Sequence, residues 1–184
     1  MTGAIRHESV EGMEDKLLTT WDDSVSDESC FSTAIRLRHL FYAIAHTVPT
    51  GSKILETGFG NGNSAQLLTE IGYHVTAIEN DQILVDHLQS KCTYYIERGT
   101  MEILKIGMNI LPWENDTFDL VYHHGVLEYF SDEMIVNALQ EQARVARWIV
   151  FMVPNHRIIR RPTIGNERLL RPYRWRQLIK IAGL

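Results

Sequence analysis

Hydrophobic and polar positions alternate with two different periods along this chain. Between residues 37 and 48 the apolar positions recur every three or four residues, which predicts a helix with one buried face. Pro49 and Gly51 follow directly and end this helix. Its apolar stripe consists of Leu37, Leu40, Phe41, Ile44 and Val48. We expect the helix to pack on the domain that follows.

From Lys53 onward, short apolar runs alternate with segments of helical spacing. The runs KILET, HVTAIE, TYYIE, TFDLVYHH and WIVFMVP predict five strands. Helices are predicted over residues 61–71, 82–90 and 132–144, and the closing YRWRQLIKIAGL predicts a last helix. Strands and helices that alternate in this way form right-handed βαβ units. The pattern therefore predicts an α/β fold with a doubly wound, mostly parallel sheet and helices on both faces.

The 184 residues are enough for one domain with its own core, which we place at residues 33–184. Residues 1–32 are acidic and weakly patterned, which favours an N-terminal arm or lid. The apolar runs are too short to cross a bilayer, and the N-terminus lacks the apolar core of a secretory signal. We therefore expect a cytoplasmic protein without membrane contact. Cys30 and Cys92 fit neither a disulfide framework nor the spacing of a zinc site.

Three glycines, Gly58, Gly60 and Gly62, stand at every second position directly after the first strand. In a doubly wound sheet, ligands bind outside the carboxyl ends of the strands, where the strand order reverses. Glycines at that point allow main-chain N–H groups to approach a ligand closely. Glu79 ends the second strand about 20 residues after the first glycine, the spacing at which a carboxylate binds ribose hydroxyls. These features together predict a nucleoside site.

The residues around the glycines narrow the choice of nucleoside. The dinucleotide fingerprint G-x-G-x-x-G would need its third glycine at Asn63, and the Gly-Lys-Ser/Thr ending of nucleotide hydrolases is also missing. Glu56 precedes Gly58 by two residues, where its charge would repel a pyrophosphate and attract an ammonium or sulfonium group. The glycine spacing thus argues against another alternative, that the chain is an oxidoreductase that binds a dinucleotide.

The segment ILETGFGNG resembles the first motif of class I S-adenosylmethionine-dependent methyltransferases of the type 11/12-like kind, and Glu79 matches their ribose-binding acid. LPWENDTFDLVYHHGVLEYFSD is similar to that family's LPF-x-D-x-SFD and VLEH segments, and VPN and RWRQLIKIAGL extend the resemblance. The resemblance implies a Rossmann-like fold, S-adenosylmethionine as the cofactor and direct methyl transfer to a positioned nucleophile of a small-molecule acceptor. The family's C-terminal antiparallel strand pair has no counterpart in this sequence.

The resemblance also assigns the cofactor-binding residues. Glu56 and the backbone at Gly58, Gly60 and Gly62 would hold the methionine part, and Glu79 would bond the ribose.

Four further residues are assigned around the adenine and the loop. Asn80 would flank the adenine. Phe59 either shields the edge of the cofactor or anchors the loop in the core. The family's aspartate that accepts from the adenine amino group is missing, so Met108 or Asn109 would supply a backbone or amide contact instead.

His123 and His124 end the fourth strand, at the sheet edge that faces ligands. Alternation sends them to opposite faces, so at most one would point to the reacting methyl group. Both are candidate catalytic residues, because a histidine can take a proton from a nucleophile, and His123 is also a candidate cofactor contact. A structural role competes with this interpretation, because methyl transfer tolerates catalysis by positioning alone. Tyr129 replaces the histidine of the family's VLEH segment, which removes one candidate base.

The expected partners follow from charge and from the missing strands. The basic residues after Pro154 would either receive an anionic substrate or form a solvated surface that meets the acidic arm. Nucleic acid is not expected, because the net charge is −5 and the Asn/Asp-Pro-Pro-Tyr/Phe motif is missing. The fifth strand would be a bare edge, which predicts either a truncated chain or a homodimer through that edge. The alternative to an enzyme is a non-catalytic scaffold of the same fold that binds a partner protein.

Overall fold

The computed structural model describes residues 28–154 and 167–184, and its elements follow one another largely as the sequence pattern predicts. The helices are α1 (Cys30–Arg36), α2 (Arg38–Thr47), α3 (Asn63–Ile71), α4 (Gln82–Lys91), α5 (Thr93–Glu97), α6 (Asp132–Val145) and α7 (Pro172–Ile181). The strands are β1 (Lys53–Thr57), β2 (His74–Glu79), β3 (Met101–Lys105), β4 (Phe118–His124) and β5 (Ala146–Met152), and a 3₁₀ turn spans Leu127–Tyr129. Most of the predicted acidic arm lies outside the described residues.

The five strands form one sheet in the order β3-β2-β1-β4-β5, and all four neighbouring pairs are parallel. The strand order reverses between β1 and β4, so the carboxyl end of β1 is the point where doubly wound sheets bind ligands. In the register of the sheet, Glu56 on β1 lies beside Ala77 on β2 and Tyr122 on β4. The predicted doubly wound α/β architecture is confirmed.

The run TYYIE forms helix α5, so the prediction that it is the third strand is wrong. Helix α5 follows α4 through Cys92, whose carbonyl accepts hydrogen bonds from the N–H groups of Tyr95 and Ile96. Aromatic and β-branched residues favour a strand by propensity, but local helical hydrogen bonds and packing decide the conformation here. The third strand is the next run, MEILK, whose buried and exposed positions alternate at its start as in a half-buried strand.

The core lies on both faces of the sheet. Ile54 and Leu55 are neighbours on β1, yet they belong to separate hydrophobic clusters because alternation turns them to opposite faces. The first cluster includes the predicted stripe of α2, in which Leu37, Leu40, Ile44 and Val48 are buried and Phe41 packs against them. The helix predicted from that stripe is therefore confirmed, and it covers the sheet beside β5.

The C-terminal segment is attached to α6 through Asp132. The two carboxylate oxygens of Asp132 accept hydrogen bonds from Arg168 and Arg174, and these guanidinium groups lower the pKa of the carboxyl group. Trp175 and Leu178 on α7 are buried in one cluster with residues of α6. The predicted apolar side of the last helix thus faces the core, and part of the basic surface forms ion pairs within the domain.

The outer edge of β5 pairs with no strand among the described residues, and Trp148 on β5 is 52% exposed. Homodimerisation through this edge stays a prediction. The basic positions between residues 155 and 166 lie outside the described part of the chain.

In residues 28–154 and 167–184, no helix has the length and apolar character needed to cross a bilayer. Over the same ranges, no group of three or more His, Cys, Asp or Glu side chains is placed to hold a metal ion. Cys30 and Cys92 are free thiols.

Candidate active site

The glycine loop connects the end of β1 to the start of α3. Its three glycines all have positive φ values: 70° at Gly58, 55° at Gly60 and 70° at Gly62. The N–H group of Gly58 donates to the carbonyl of Ile78 at 2.8 Å, which ties the loop to β2. The loop therefore lies across the carboxyl ends of β1 and β2, as the sequence predicts.

Gly62 is required by close packing as well as by its backbone conformation. A Cβ atom at this position would lie 2.2 Å from Cδ1 of Leu88, a fully buried residue of α4. Gly62 also directly precedes the first turn of α3. The third glycine thus lets α3 begin close to α4, and this sets the position of the N-terminal end of α3 beside β1.

Glu56 is fully buried at the end of β1, and both of its carboxyl oxygens are hydrogen-bonded. Oε1 lies 2.5 Å from Oγ of Ser64, and Oε2 lies 2.8 Å from the hydroxyl of Tyr122. Burial raises the pKa of Glu56 to about 8, although these two hydrogen bonds oppose the rise, and the nearby Glu79 carboxylate adds to it. The Glu56 carboxyl group is therefore mainly protonated at neutral pH, and a cation bound beside it would favour its ionised form.

Glu79 ends β2 and turns its carboxylate toward the glycine loop. Oε2 accepts a hydrogen bond from the N–H group of Gly60 at 3.2 Å, and Oε1 accepts one from the N–H group of Asn80 at 2.8 Å. Burial raises the pKa of Glu79, and the backbone N–H groups oppose this rise. The structure therefore brings the two acidic residues named from the sequence to the same loop, and it leaves Asn80 exposed next to them.

The other predicted cofactor contacts lie in different surroundings. Phe59 is 1% exposed and belongs to the core cluster, which favours its interpretation as an anchor of the loop. The N–H group of Ile106 donates to the carbonyl of Glu79 at 3.0 Å, so the segment after β3 passes the site. Two residues further on, Met108 is buried in the cluster with α6 and α7, and Asn109 is exposed.

The two histidines at the end of β4 point to opposite faces of the sheet. His123 is fully buried and its ring stacks on Phe151 at 5.2 Å between centroids. Burial lowers its pKa to about 3, and the neighbouring His124 adds to this effect. His123 is thus enclosed in the core, and the structure brings His124, not His123, to the glycine-loop side.

His124 faces α3, where its Nε2 atom lies 3.4 Å from Oγ of Ser64. Burial lowers the pKa of His124 to about 4; the charge of Arg36 lowers it further and that of Glu28 raises it. The ring is therefore neutral at physiological pH and able to accept a hydrogen bond or a proton. The hydrogen bonds of Ser64 and Tyr122 to Glu56 are not among the contacts that the sequence predicts.

Helix α1 docks on the glycine loop through Asn63. The side-chain amide of Asn63 donates to the carbonyl of Glu28 at 2.7 Å and to Oγ1 of Thr33 at 3.2 Å. Its Oδ1 atom accepts a hydrogen bond from Nζ of Lys91 at 2.6 Å. Asn63 stands where a dinucleotide fingerprint would have its third glycine. In this chain the side chain at that position binds Glu28 and Thr33.

The comparisons with known proteins agree with this geometry. A family model described as a methyltransferase domain matches residues 54–148, just over half of the chain. The chain belongs to this methyltransferase family. Over 132 residues it is 27% identical to a probable S-adenosylmethionine-dependent methyltransferase of Mycobacterium tuberculosis, found in strains H37Rv and CDC 1551. The match covers 70% of this chain and 44% of the relative, so the chain spans less than half the length of these relatives.

Solved structures show the same fold. The magnesium protoporphyrin IX methyltransferase of Synechocystis PCC 6803 with bound SAM has a TM-score of 0.70 at 15% identity, over 99% of this chain and 88% of that one. Phosphoethanolamine N-methyltransferase 1 of Haemonchus contortus, in complex with phosphoethanolamine and S-adenosylhomocysteine, has a TM-score of 0.63 at 20% identity, over 89% of this chain and 37% of that one. The family and the Rossmann-like fold predicted from ILETGFGNG and the later motifs are confirmed.

Proposed function

We propose that this domain binds S-adenosylmethionine at the carboxyl ends of β1 and β2 and transfers its methyl group to a small-molecule acceptor. The observation that carries the proposal is the position of two carboxyl groups beside the glycine loop. Glu79 accepts a hydrogen bond from the N–H group of Gly60 in the loop, and Glu56 is bonded to Ser64 in the first turn of α3, directly after the loop. The names of the M. tuberculosis relatives support the cofactor. The names of the structural neighbours, which act on a porphyrin and on phosphoethanolamine, support the class of acceptor.

The donor set fits a cationic nucleoside better than a dinucleotide. A carboxylate accepts hydrogen bonds from ribose hydroxyls and attracts an ammonium or sulfonium group, whereas it repels a pyrophosphate. Glu56 is fully buried, so its interaction with a cation would be weakly screened by water. The residues present therefore fit S-adenosylmethionine.

Each residue has a distinct task in this proposal. Glu56 binds the positively charged methionine part, Glu79 bonds the ribose hydroxyls, and the backbone of the loop approaches the cofactor closely. When bound, S-adenosylmethionine supplies a methyl group that is already activated by the sulfonium charge. The chain then has to align the acceptor and exclude water from the site. Asn80 and the segment of Met108 and Asn109 are proposed to border the adenine.

His124 is the candidate for the acceptor side. It is neutral and half-buried, and it lies on the same side of the sheet as Ser64 and Glu56. We assign it the role of accepting a hydrogen bond, or the proton, from the attacking group. His123 is enclosed by Phe151 and the core, so a structural role suits it better.

Calorimetric titration with S-adenosylmethionine, S-adenosylhomocysteine and NAD tests the cofactor. We expect micromolar binding of the first two and none of NAD. Glu79→Ala should abolish binding, whereas Glu102→Ala, which removes an exposed carboxylate from the neighbouring strand β3, should leave it unchanged. Failure of the wild-type protein to bind either S-adenosyl compound would contradict the proposal.

Turnover is tested separately, by following S-adenosylhomocysteine release with a panel of small molecules that carry hydroxyl, amine or activated carbon nucleophiles. Glu56→Ala and Glu79→Ala should both reduce the rate in an enzyme. If the protein binds S-adenosylmethionine but transfers no methyl group, and a partner protein binds equally to both variants, the scaffold hypothesis replaces the enzyme.

A further inference from the structure

Three polar side chains form a continuous line through the site: Glu56, Ser64 and His124. Ser64 Oγ lies 2.5 Å from Oε1 of Glu56 and 3.4 Å from Nε2 of His124. Glu56 and Ser64 are buried, and His124 is half-buried at the end of β4. Ser64 therefore connects the carboxyl group that we propose to bind the cofactor with the ring that we propose to face the acceptor.

The single hydroxyl proton of Ser64 can be used in only one of these two contacts. If Glu56 is ionised, its oxygens only accept, so Ser64 donates to Oε1 and offers only lone pairs to His124. A neutral His124 then contacts Ser64 favourably only as the tautomer that carries its hydrogen on Nε2. In that tautomer, Nδ1 has a free lone pair.

A protonated Glu56 reverses the direction of both hydrogen bonds. The hydroxyl of Tyr122, which is fully buried, has Oε2 of Glu56 as its one hydrogen-bond partner in the described part of the chain, so it donates there in either state. The carboxyl proton then lies on Oε1 and is donated to Ser64. Ser64 in turn donates to Nε2 of His124, and the ring carries its hydrogen on Nδ1.

We propose that Ser64 is a positioning residue that transmits the ionisation state of Glu56 to His124, so that Nδ1 of His124 is a free acceptor only when Glu56 is ionised. When Glu56 loses its proton, one proton leaves the protein. The Ser64 hydroxyl turns from His124 to Glu56, and His124 exchanges its Nδ1 hydrogen for one on Nε2 through water, so the ring stays neutral throughout.

Separate sets of groups act on the two ends of this line. Glu79 on β2 disfavours the ionised form of Glu56, and the hydrogen bonds from Ser64 and Tyr122 and the N–H group of Ala65 on α3 favour it. On the His124 side, Arg36 of α1 and Glu28 before it act on the ring with opposite signs, and the neighbouring His123 lies on the other face of the sheet. None of the described groups is a permanent cation in hydrogen-bond contact with Glu56.

The inference rests on the proposed function for its consequence. If Glu56 binds the cationic part of the cofactor, binding ionises Glu56 and thereby frees Nδ1 of His124 to accept from the acceptor group. Nδ1 of His124 would then be able to accept a proton only in the complex with the cofactor. This predicts an ordered mechanism in which the cofactor binds before the acceptor.

The test is imidazole ¹⁵N NMR of the full chain, which distinguishes the two neutral tautomers by the nitrogen that carries hydrogen. The signals of His124 are assigned with His124→Asn. Between about pH 6 and 10 the ring stays neutral, because burial keeps its pKa near 4. We expect His124 to change from the Nδ1–H to the Nε2–H tautomer with a midpoint near pH 8, while His123 does not change.

The variants separate the relay from a general effect of pH. Glu56→Gln and Ser64→Ala should abolish the change, and Ser64→Thr, which retains the hydroxyl, should preserve it. Glu79→Gln removes a carboxylate that opposes ionisation of Glu56 but touches neither Ser64 nor His124, so the change should persist with a lower midpoint. Circular dichroism confirms the fold of each variant.

The outcomes decide independently of the proposed function. An unchanged wild-type tautomer across the pH range, or a change that persists in folded Ser64→Ala, overturns the relay. Added S-adenosylmethionine at about pH 7 should produce the Nε2–H tautomer at constant pH. If it binds without doing so, the relay is wrong although the cofactor is right. If it does not bind, the proposed function fails, and the pH titration still decides the relay.

Discussion

The hydroxyl group of Tyr122 is hydrogen-bonded at 2.8 Å to Oε2 of Glu56, and both side chains are fully buried. The two residues lie side by side on the parallel strands β1 and β4. Burial raises the pKa of Tyr122 well above its ordinary value, and the neighbouring Glu56 adds to this effect, so the phenol remains a donor. Tyr122 therefore holds the carboxyl group that we assign to the cofactor's methionine part.

Tyr122→Phe should weaken S-adenosylmethionine binding at neutral pH by roughly tenfold, because a hydrogen bond to a charged group contributes about 1.5 kcal/mol or more. Without the hydroxyl, the ionised form of Glu56 is less stable, and its pKa rises further. Calorimetry at fixed pH measures the effect. Tyr73→Phe is the matched control, since the Tyr73 hydroxyl bonds to the carbonyl of Val48 and not to Glu56. Equal affinities for all three proteins would contradict the assignment.

Cofactor affinity should rise with pH between about 6 and 7.5. Glu56 has a pKa of about 8 in the free protein, so it is mainly protonated at neutral pH and must lose its proton to bind a cation. Linkage then gives up to about a tenfold gain in affinity per pH unit and release of nearly one proton per cofactor bound. The number of protons is obtained from titrations in two buffers with different heats of ionisation. In Glu56→Gln the proton release should disappear, and a wild-type protein that releases none would exclude this role for Glu56.

The pH dependence of stability should show a decline between about pH 6.5 and 8. Folding raises the pKa of Glu56 from 4.5 to about 8, so between these two pH values the folded protein binds more protons than the unfolded chain. The contribution of Glu56 to stability therefore falls as the pH rises from 4.5 to about 8. His123 and His124 act in the opposite direction, because their pKa values fall from 6.5 to about 3 and 4, so the stability they provide is lost as pH falls below 6.5. The maximum should therefore lie near pH 6.5.

Glu56→Gln isolates the first of these effects. The variant should be more stable than the wild type at about pH 8.5, by a few kcal/mol, since each unit of pKa shift corresponds to about 1.4 kcal/mol. At about pH 5 the difference should be small, because the wild-type carboxyl group is protonated in the folded state. Urea unfolding at both pH values measures it, with the exposed Glu102→Gln as the control. A stability difference that does not depend on pH would mean that Glu56 does not titrate as inferred.

The sequence was sufficient for the fold and for the two acidic residues because these depend on local patterns. Glycine spacing, the acid at the end of each strand and the apolar periods are all read within short windows. The hydrogen bonds of Ser64 and Tyr122 to Glu56 cannot be predicted from such windows, because they depend on how distant segments pack: Tyr122 becomes a neighbour of Glu56 only when β1 and β4 lie side by side.

The histidine pair shows the same limit. Alternation correctly separated His123 from His124, but only the helices packed on each face decide which ring is enclosed. The strand prediction for TYYIE is wrong for a related reason, since four aromatic or β-branched residues in a row are compatible with a short helix when the next segment supplies the strand. Tertiary packing overrides local propensity where another segment fits the sheet better, as MEILK does here.

Gly62→Ala should destabilise the domain by about 2 to 4 kcal/mol, which combines about 1 kcal/mol for a positive φ at a non-glycine residue with the strain of overpacking. The new Cβ atom would lie 2.2 Å from Cδ1 of Leu88, so either Leu88 or the start of α3 must move. Gly51→Ala separates the two contributions, because Gly51 has a φ of 88° and no atom within 4 Å of the added Cβ. It should cost only the backbone part. In the double variant Gly62→Ala, Leu88→Ala, the loss measured by urea unfolding should be smaller than the sum of the single losses, because the clash is removed. Additive losses would show that the clash with Leu88 is not the reason why Gly62 cannot be replaced by alanine.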